Sequence, residues 1–538
     1  MRYAFVLIAL SLLPVLSLAK PGLPVTHDGP DHVARIANFY QSLSEGNIVP
    51  RWAENLNWGY GHPVIMFLYP LPSYAASLFH AIGFSFVDAT KLVFAVSYIA
   101  SVLGMYLFLK QLFPAIPAYV GALMYGFAPY RFVDLAVRGA IGEHIAFVFP
   151  PLILYGLIRI ARRTDAYGFI ITALSVAALL LSHNAVSIMF LPVIVGFGVY
   201  LSVYETKNAK EFLTVGTSAI LLGTGLASFF LIPAFFEGKY TLRDIVTSGE
   251  FSSRFVPWQR LFISPWSYGG SSELSHALGF AQWATVAFVA VSFRSIRSRA
   301  HRLLAGTTLL VLVVVLVLMT KWSDSVWVYV SLLQKFQFPW RFLSLAVFLS
   351  ALLGAIAFSS IRVNHAIFAV LATIAILAST AHMWTPKAVQ VMAENRFTGA
   401  YPGTTDTGES SPIWSVRFME KYPAAPLEVI EGSATVQQTL RTTTDHEYVV
   451  TSATESRLLE NTLYFPGWDI FIDGIRTGVE FQDPSFRGLM TFRINPGEHH
   501  VAVLFRNTKL RRFADTISLI AFGIFILEST ILWKRIRL

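Results

Sequence analysis

A polytopic bundle of membrane-spanning helices, with an extracytoplasmic β-sandwich ahead of its last span, is the fold this sequence predicts. Of 538 residues, 54% are hydrophobic and only 14% charged, where a soluble domain carries about 25% charged residues. Apolar runs of about 20 residues, long enough to cross a bilayer, recur along the chain. The segment 384–512 departs from this pattern. Gly, Pro, Thr and Ser rise there, and apolar residues alternate with polar ones, the period of a half-buried strand. A cytosolic enzyme, a nucleic-acid binder and a disordered chain are excluded. The net charge of +9 reads as loop Lys and Arg holding a topology, so no nucleic-acid partner is expected. The chain has no cysteine, which rules out a disulfide scaffold, a thiol nucleophile and a cysteine metal site.

The first segment, from Arg2 to Ala19, has a basic start and an apolar body and is read as an uncleaved span. Later apolar runs fall near 88–110, 114–130, 142–160, 166–183, 185–203, 213–235, 277–293, 303–319, 340–360, 364–383 and 515–533. The run 64–83 contains Pro70 and Pro72, and charge decides its status. If it does not cross, Lys110, Arg159, Arg162, Arg163, Lys207, Lys210, Arg294, Arg297, Arg299, Arg302, Arg362, Lys534, Arg535 and Arg537 all fall in cytoplasmic turns, the positive-inside pattern. It is therefore read as a re-entrant or interfacial helix. Twelve spans result, with both termini cytoplasmic and 20–87, 236–276 and 384–512 outside. The expected division is 1–383 as membrane domain with outer loop 20–87, 384–512 as β-sandwich, and 513–538 as last span and basic tail.

Within 384–512, strands are predicted at 447–452, 457–465, 468–474, 488–494 and 499–505. Asp473-Gly474 and Asn495-Pro496-Gly497 supply turns. Asp445, His446 and Glu447 are consecutive, so along a strand they alternate faces. The domain is expected to lack a compact acid–base cluster and to be an accessory.

The first outer loop carries the densest chemistry. In THDGPDH (26–32), Pro30 suits the first turn of a helix. Val33, Ile36, Ala37, Tyr40 and Leu43 then recur at helical spacing, and Gly46 ends the run. This predicts an amphipathic helix at the membrane surface. Asp28 precedes it, and Asp31, His32 and Arg35 lie on its first turns. The pattern fits a polar site with a carboxylate base; it fits equally a helix-dipole partner at Asp31 and a surface pair with Arg35. His27, Asp28, Asp31 and His32 also allow a divalent metal, which is left open; no cofactor is assigned. A second polar knot, Arg131, Asp134, Arg138, Glu143 and His144, marks a span end where ionisable groups are functional candidates.

The segments HDGPDHVARI, GNIVPRW, GYGHP, FLYPLPSY, VRGAIGEHIA, LSHN, FQFPWRFL and YFPGWDIFIDG together give a resemblance. The chain resembles the GT-C class of membrane glycosyltransferases, and more closely the bacterial membrane proteins catalogued as 6-pyruvoyl-tetrahydropterin synthase-related. The resemblance implies a multi-pass protein of the bacterial inner membrane whose large loops lie outside the cytoplasm. It implies sugar transfer from a polyprenyl-phosphate donor to a glycan or protein acceptor. Asp28 would be the base, with Asp31 beside it; Gly29-Pro30 separates two acids that are adjacent in many GT-C proteins. Arg138 and then Arg35 would hold the donor phosphate, and His32, His62, Tyr69, Glu143 and His144 would line the substrate. The alternatives are a non-catalytic scaffold and a lipid-linked glycan transporter in envelope assembly. A transferase should gather Asp28 and Arg138 around one outward-opening cavity; a scaffold need not.

Overall fold

The structure, a computed structural model, describes residues 2–163, 165–270, 272–296, 298–360 and 364–537. Arg297 and Arg362 of the topology argument lie outside the described residues, as do the side chains of Lys534, Arg535 and Arg537. Helices occupy the predicted apolar runs. Eight of them are long and apolar enough to cross a membrane, among the described residues, and a ninth counts if Ala209–Leu226 and Ser228–Phe236, bent by 67°, form one span. Twelve full-length spans are therefore not reproduced. Ala115–Gly126, Ala166–Leu180 and Phe280–Ser292 have only 12, 15 and 13 residues. At about 1.5 Å per residue each falls short of a hydrocarbon core roughly 30 Å thick.

Beyond the bend near Ala227, backbone groups of the second helix find partners on other segments. Pro233 has no N–H to give to the carbonyl of Phe229. That carbonyl accepts from Arg51 (3.3 Å), and the Phe229 N–H bonds Ser518 (2.8 Å). Arg51 also pairs with Asp515 at 2.6 Å. The first outer loop is thereby tied to the last membrane helix, Lys509–Arg537.

Helix α1 (Arg2–Val15) leads to a short strand β1 (Leu23–Pro24), which pairs antiparallel with β2 (Val389–Gln390). Helix α2 spans Gly29–Ser44, with Asp28 at its cap. The re-entrant run is two short helices, α3 (Val64–Phe67) and α4 (Leu71–Ala81), broken around Pro70. Contrary to the surface helix expected, α2 is covered by protein. It packs against α4 and the helix Asn395–Thr398, and His32, Arg35, Asn38 and Ser42 on its polar side are buried. The segment 384–426 supplies that cover, which helical periodicity cannot reveal.

The predicted strands all form, and two more precede them. The order in the larger sheet is β4 (Ala434–Arg441), β5 (Asp445–Ser452), β10 (Gly497–Phe505), β7 (Trp468–Ile472), β8 (Ile475–Thr477); the smaller is β3 (Leu427–Glu431), β6 (Ser456–Leu463), β9 (Leu489–Ile494). The missed strands β3, β4 and β8 show mostly half-buried or exposed residues, so alternation is weak there. Tyr448, Val450, Leu458, Ile470, Phe492, Val501 and Val503 fill the core. Trp52 of the outer loop enters this core against Trp468 and Phe505, at ring distances of 5.4 and 5.5 Å.

A buried acid–base cluster joins the two parts, correcting the expectation that the sandwich has none. His446 Nδ1 is 3.0 Å from Glu460 and its Nε2 3.4 Å from Glu54 of the outer loop. Arg441 bonds Glu54 at 2.7 Å and Tyr448 at 2.9 Å. Asp445 and Glu447 do alternate away, as a strand demands. The cluster draws instead on other strands and another loop, which sequence adjacency does not report. Burial alone would lower the His446 pKa, but the carboxylates of Glu54 and Glu460 outweigh it and raise it to about 9. A histidine of ordinary pKa, about 6.5 in the unfolded chain, thus favours folding fully below that pH and loses its contribution as pH rises through 9. The apparent melting temperature of the detergent-solubilised protein should therefore fall between pH 6 and pH 10. His446→Gln, which cannot titrate, should flatten that fall; an unchanged fall in the variant would show that His446 carries no charge in the fold.

Candidate functional site

The site is built where the first outer loop meets the turn after Ala115–Gly126. Residues Val133–Arg138 form a single π-helical stretch that ends at Gly139, φ +67°. A Cβ on Gly139 would lie 2.3 Å from Thr26 Oγ1, so only glycine lets the outer loop come this close. Two ladder-like bonds follow, His27 N–H to Val137 O at 3.0 Å and Asp28 N–H to Arg138 O at 2.9 Å. Gly142 serves the same end for Tyr69, whose ring would stand 2.1 Å from an added Cβ.

Arg138 donates to Asp134 at 2.5 Å and to Glu143 at 2.7 Å, and Glu143 also accepts from Tyr130 at 2.6 Å. Its guanidinium lies 4.5 Å from the Trp340 ring centroid. Asp134 and Glu143 are fully buried. Removing one member of such a set leaves an uncompensated charge, a loss of about 3–5 kcal/mol. Arg138 is thus committed to two carboxylates.

Asp28 differs. It is half-buried and makes no side-chain cap bond to its helix. Asp31 accepts from Tyr401 at 2.8 Å; burial raises its pKa while the Tyr401 bond and Arg35 oppose the rise. His32 is buried against Arg35 (3.2 Å), and burial with that cation lowers its pKa well below the usual range, so it is neutral. Arg35 gives Nε to the Thr405 hydroxyl at 3.1 Å and bonds the Thr405 carbonyl. Thr405 holds φ +64°, a rare region for a β-branched residue. Residues 401–411 form a strap across the loop, through Asn57 N–H to Gly403 O (2.9 Å) and Trp58 N–H to Tyr401 O (2.8 Å).

Tyr69 stands at the centre. Burial raises its phenol pKa, and Arg35, Asp28, Arg341 and Arg138, in that order, act on it electrostatically. Its ring lies 5.1 Å from His183. Asp28, Asp31, His32, Arg35, Tyr69, Arg138 and Glu143 are therefore brought together. His62 lies under the strap, 3.1 Å from Ser411, with its pKa lowered to about 4 by burial. His144 is turned the other way, against Phe94 and Tyr98 at 5.1 and 6.0 Å. A cavity of about 10 Å³ lined by Phe39, Arg51, Ile65, Tyr74 and Phe230 lies beside Arg51. Among the described residues no three His, Asp or Glu side chains are grouped to hold a metal ion.

Sequence reasoning missed Arg341, Thr405 and Tyr401 as members of the site. Arg341 bonds the Phe336 carbonyl at 2.9 Å and pairs with no carboxylate among the described residues. FQFPWRFL drew notice as a motif, but an anchor and a site cation look alike in sequence.

A many-helix membrane protein whose first long loop is hydrogen-bonded, through the Asp28 N–H, to the backbone of a buried ion cluster is the class these features define. The chain belongs to the 6-pyruvoyl-tetrahydropterin synthase related domain family of membrane proteins, whose model matches residues 66–386. It is 21% identical over 286 residues to an uncharacterized protein of Lactococcus lactis subsp. cremoris, across 50% of this chain and 46% of that one. The chain thus matches just under half of that relative's length. Its fold is similar to the arabinofuranosyltransferase AftD from Mycobacteria, with TM-score 0.47 and 17% identity over 72% of this chain and 27% of that one. It is similar to ArnT from Cupriavidus metallidurans bound to undecaprenyl phosphate, with TM-score 0.39 and 12% identity over 70% and 64%. The oligosaccharyltransferase AglB from Archaeoglobus fulgidus, in complex with an inhibitory peptide and a dolichol-phosphate, gives 0.40 and 11% over 76% and 61%. These are likenesses of outline, and no residue role transfers from them.

Proposed function

We propose that the protein transfers a sugar from a polyprenyl-phosphate donor to a glycan or protein acceptor outside the cytoplasm. The observation that carries the reading is Asp28, a half-buried carboxylate without a side-chain cap bond, fixed by its own N–H to the Arg138 carbonyl. An acceptor hydroxyl must lose its proton as it attacks the anomeric carbon, and a carboxylate in reach can take it. Arg138 positions Asp28 through the backbone, while its charge stays on Asp134 and Glu143. Arg35 is the cation that would meet the phosphate that leaves, once Thr405 gives way. Asp31, bonded to Tyr401, sets the strap. Tyr69 and His32 would meet the substrate, and the β-sandwich serves as an accessory that holds the loop through Trp52 and Glu54.

The side of the membrane follows from the basic turns. A membrane-impermeant thiol probe should reach a cysteine at Gln437, exposed on β4, and miss one at Ser298. The opposite labelling would invert the topology.

Asp28→Asn keeps shape and removes basicity. Turnover should fall by about 10²–10⁴-fold, the usual worth of a general base, with folding intact because no cavity opens. Asp31→Asn should cost less. Near-normal turnover in Asp28→Asn together with loss in Asp31→Asn would move the base to Asp31.

A further inference from the structure

The end of the bundle farthest from Asp28 carries a groove that the mechanism does not use. Helix Phe280–Ser292 starts on the Asp28 side, where an added Cβ on Gly279 would meet Pro129 at 2.8 Å and Gln282 donates to the Met124 carbonyl at 3.1 Å. Its 13 residues carry the chain roughly 20 Å away at about 1.5 Å per residue, and helix Arg299–Leu318 follows. Both helices pack against Leu343–Ser360. Between them opens a groove of about 590 Å³, lined by Ala290, Val291, Phe293, Arg294, Gly306 and Leu309. Glycine inside a helix carries a propensity cost, and Gly306 leaves its part of the wall bare; an added Cβ would stand 3.2 Å from the Phe293 ring.

The groove is charged at one end and apolar along its length. Gly306 and Leu309 lie roughly 10 and 15 Å along their helix from Arg299 at about 1.5 Å per residue, within reach of lipid tails. The charge is one-sided. No Asp or Glu occurs between Glu273 and Asp324, while Arg294, Arg297, Arg299 and Arg302 do. Arg302 is turned onto the Ile296 carbonyl at 2.6 Å. Among the described residues Arg294 and Arg299 pair with no carboxylate. Glu205, which acts electrostatically on His301 of this segment, is held by Arg162 at 2.8 Å. A topological signal needs basic residues in a turn; it needs no groove beside them. An unpaired guanidinium at the head of an apolar slot matches an anionic headgroup followed by an acyl chain. A free anion would leave the slot unused, and a zwitterionic lipid would bring its own cation to the arginines.

We infer that this groove seats an anionic phospholipid, with its acyl chain along Val291, Gly306 and Leu309 and its phosphate on Arg294. Neither the groove nor its charges take part in the proposed sugar transfer.

The test is native mass spectrometry of the full chain in maltoside detergent, titrated with dioleoyl-phosphatidylglycerol or with dioleoyl-phosphatidylcholine. Phosphatidylglycerol should bind about fivefold tighter or more. Arg294 is exposed, so Arg294→Gln keeps the fold; it should cost about fivefold in phosphatidylglycerol affinity, the worth of one basic residue at an anionic surface, and leave phosphatidylcholine binding unchanged. Gly306→Leu projects a side chain into the slot and should weaken phosphatidylglycerol by a similar factor. Lys207→Gln with Lys210→Gln removes two exposed charges from the turn that holds Glu205 and should leave the preference intact. An equal loss in that control would show that summed charge, not a seat, selects the lipid, and would overturn the inference. Equal affinity for the two lipids, phosphatidylglycerol binding unchanged in Arg294→Gln or Gly306→Leu, or competition by inorganic phosphate at constant ionic strength would overturn it as well.

Discussion

The architecture of the face that carries Asp28 depends on one buried guanidinium. Arg138 lies where the π-helical stretch ends, and its charge is tolerable there only because Asp134 and Glu143 are both within hydrogen-bonding distance. The same residue's carbonyl holds the N–H of Asp28. The ion cluster therefore fixes a backbone, and the backbone fixes the carboxylate. Gly139 and Gly142 keep space for Thr26 and Tyr69, which explains why RGAIGEH pairs its charged residues with small ones.

A second constraint is the docking of the C-terminal part onto the first loop. Trp52 fills the sandwich core, Glu54 joins His446 and Arg441, and the strap 401–411 covers Arg35. The covered state places the Thr405 hydroxyl and carbonyl on Arg35. Asp28 and Arg138 meet through the backbone, the Asp28 N–H donating to the Arg138 carbonyl. The small cavity beside Arg51 is lined by Phe39, Ile65, Tyr74 and Phe230.

Much of the fold was legible in sequence because hydropathy and period report local burial. The apolar runs became helices, and the five alternating stretches became strands. The two polar clusters of the outer face, HDGPDH and VRGAIGEH, were also visible. What periodicity could not report was long-range cover. The segment 384–426 has no strong period, so its wrapping of α2 was unreadable, and α2 was expected to face lipid. His446 was judged by its neighbours in the strand, while its partners Glu54 and Glu460 come from another loop and another strand. Arg341 went unread as a site cation because the absence of a carboxylate partner is a property of three dimensions.

The central claim is sugar transfer from a lipid phosphate, and the most direct measurement follows the label. The purified chain is incubated with undecaprenyl-phosphate hexoses and pentoses radiolabelled in the sugar, and the lipid and aqueous phases are counted over time. The account predicts that for at least one donor the label leaves the lipid, by transfer or by slow hydrolysis, with undecaprenyl phosphate as the second product. Label retained on every lipid that the protein demonstrably binds would contradict it, and would leave the ion cluster and the docked loop as the framework of a scaffold.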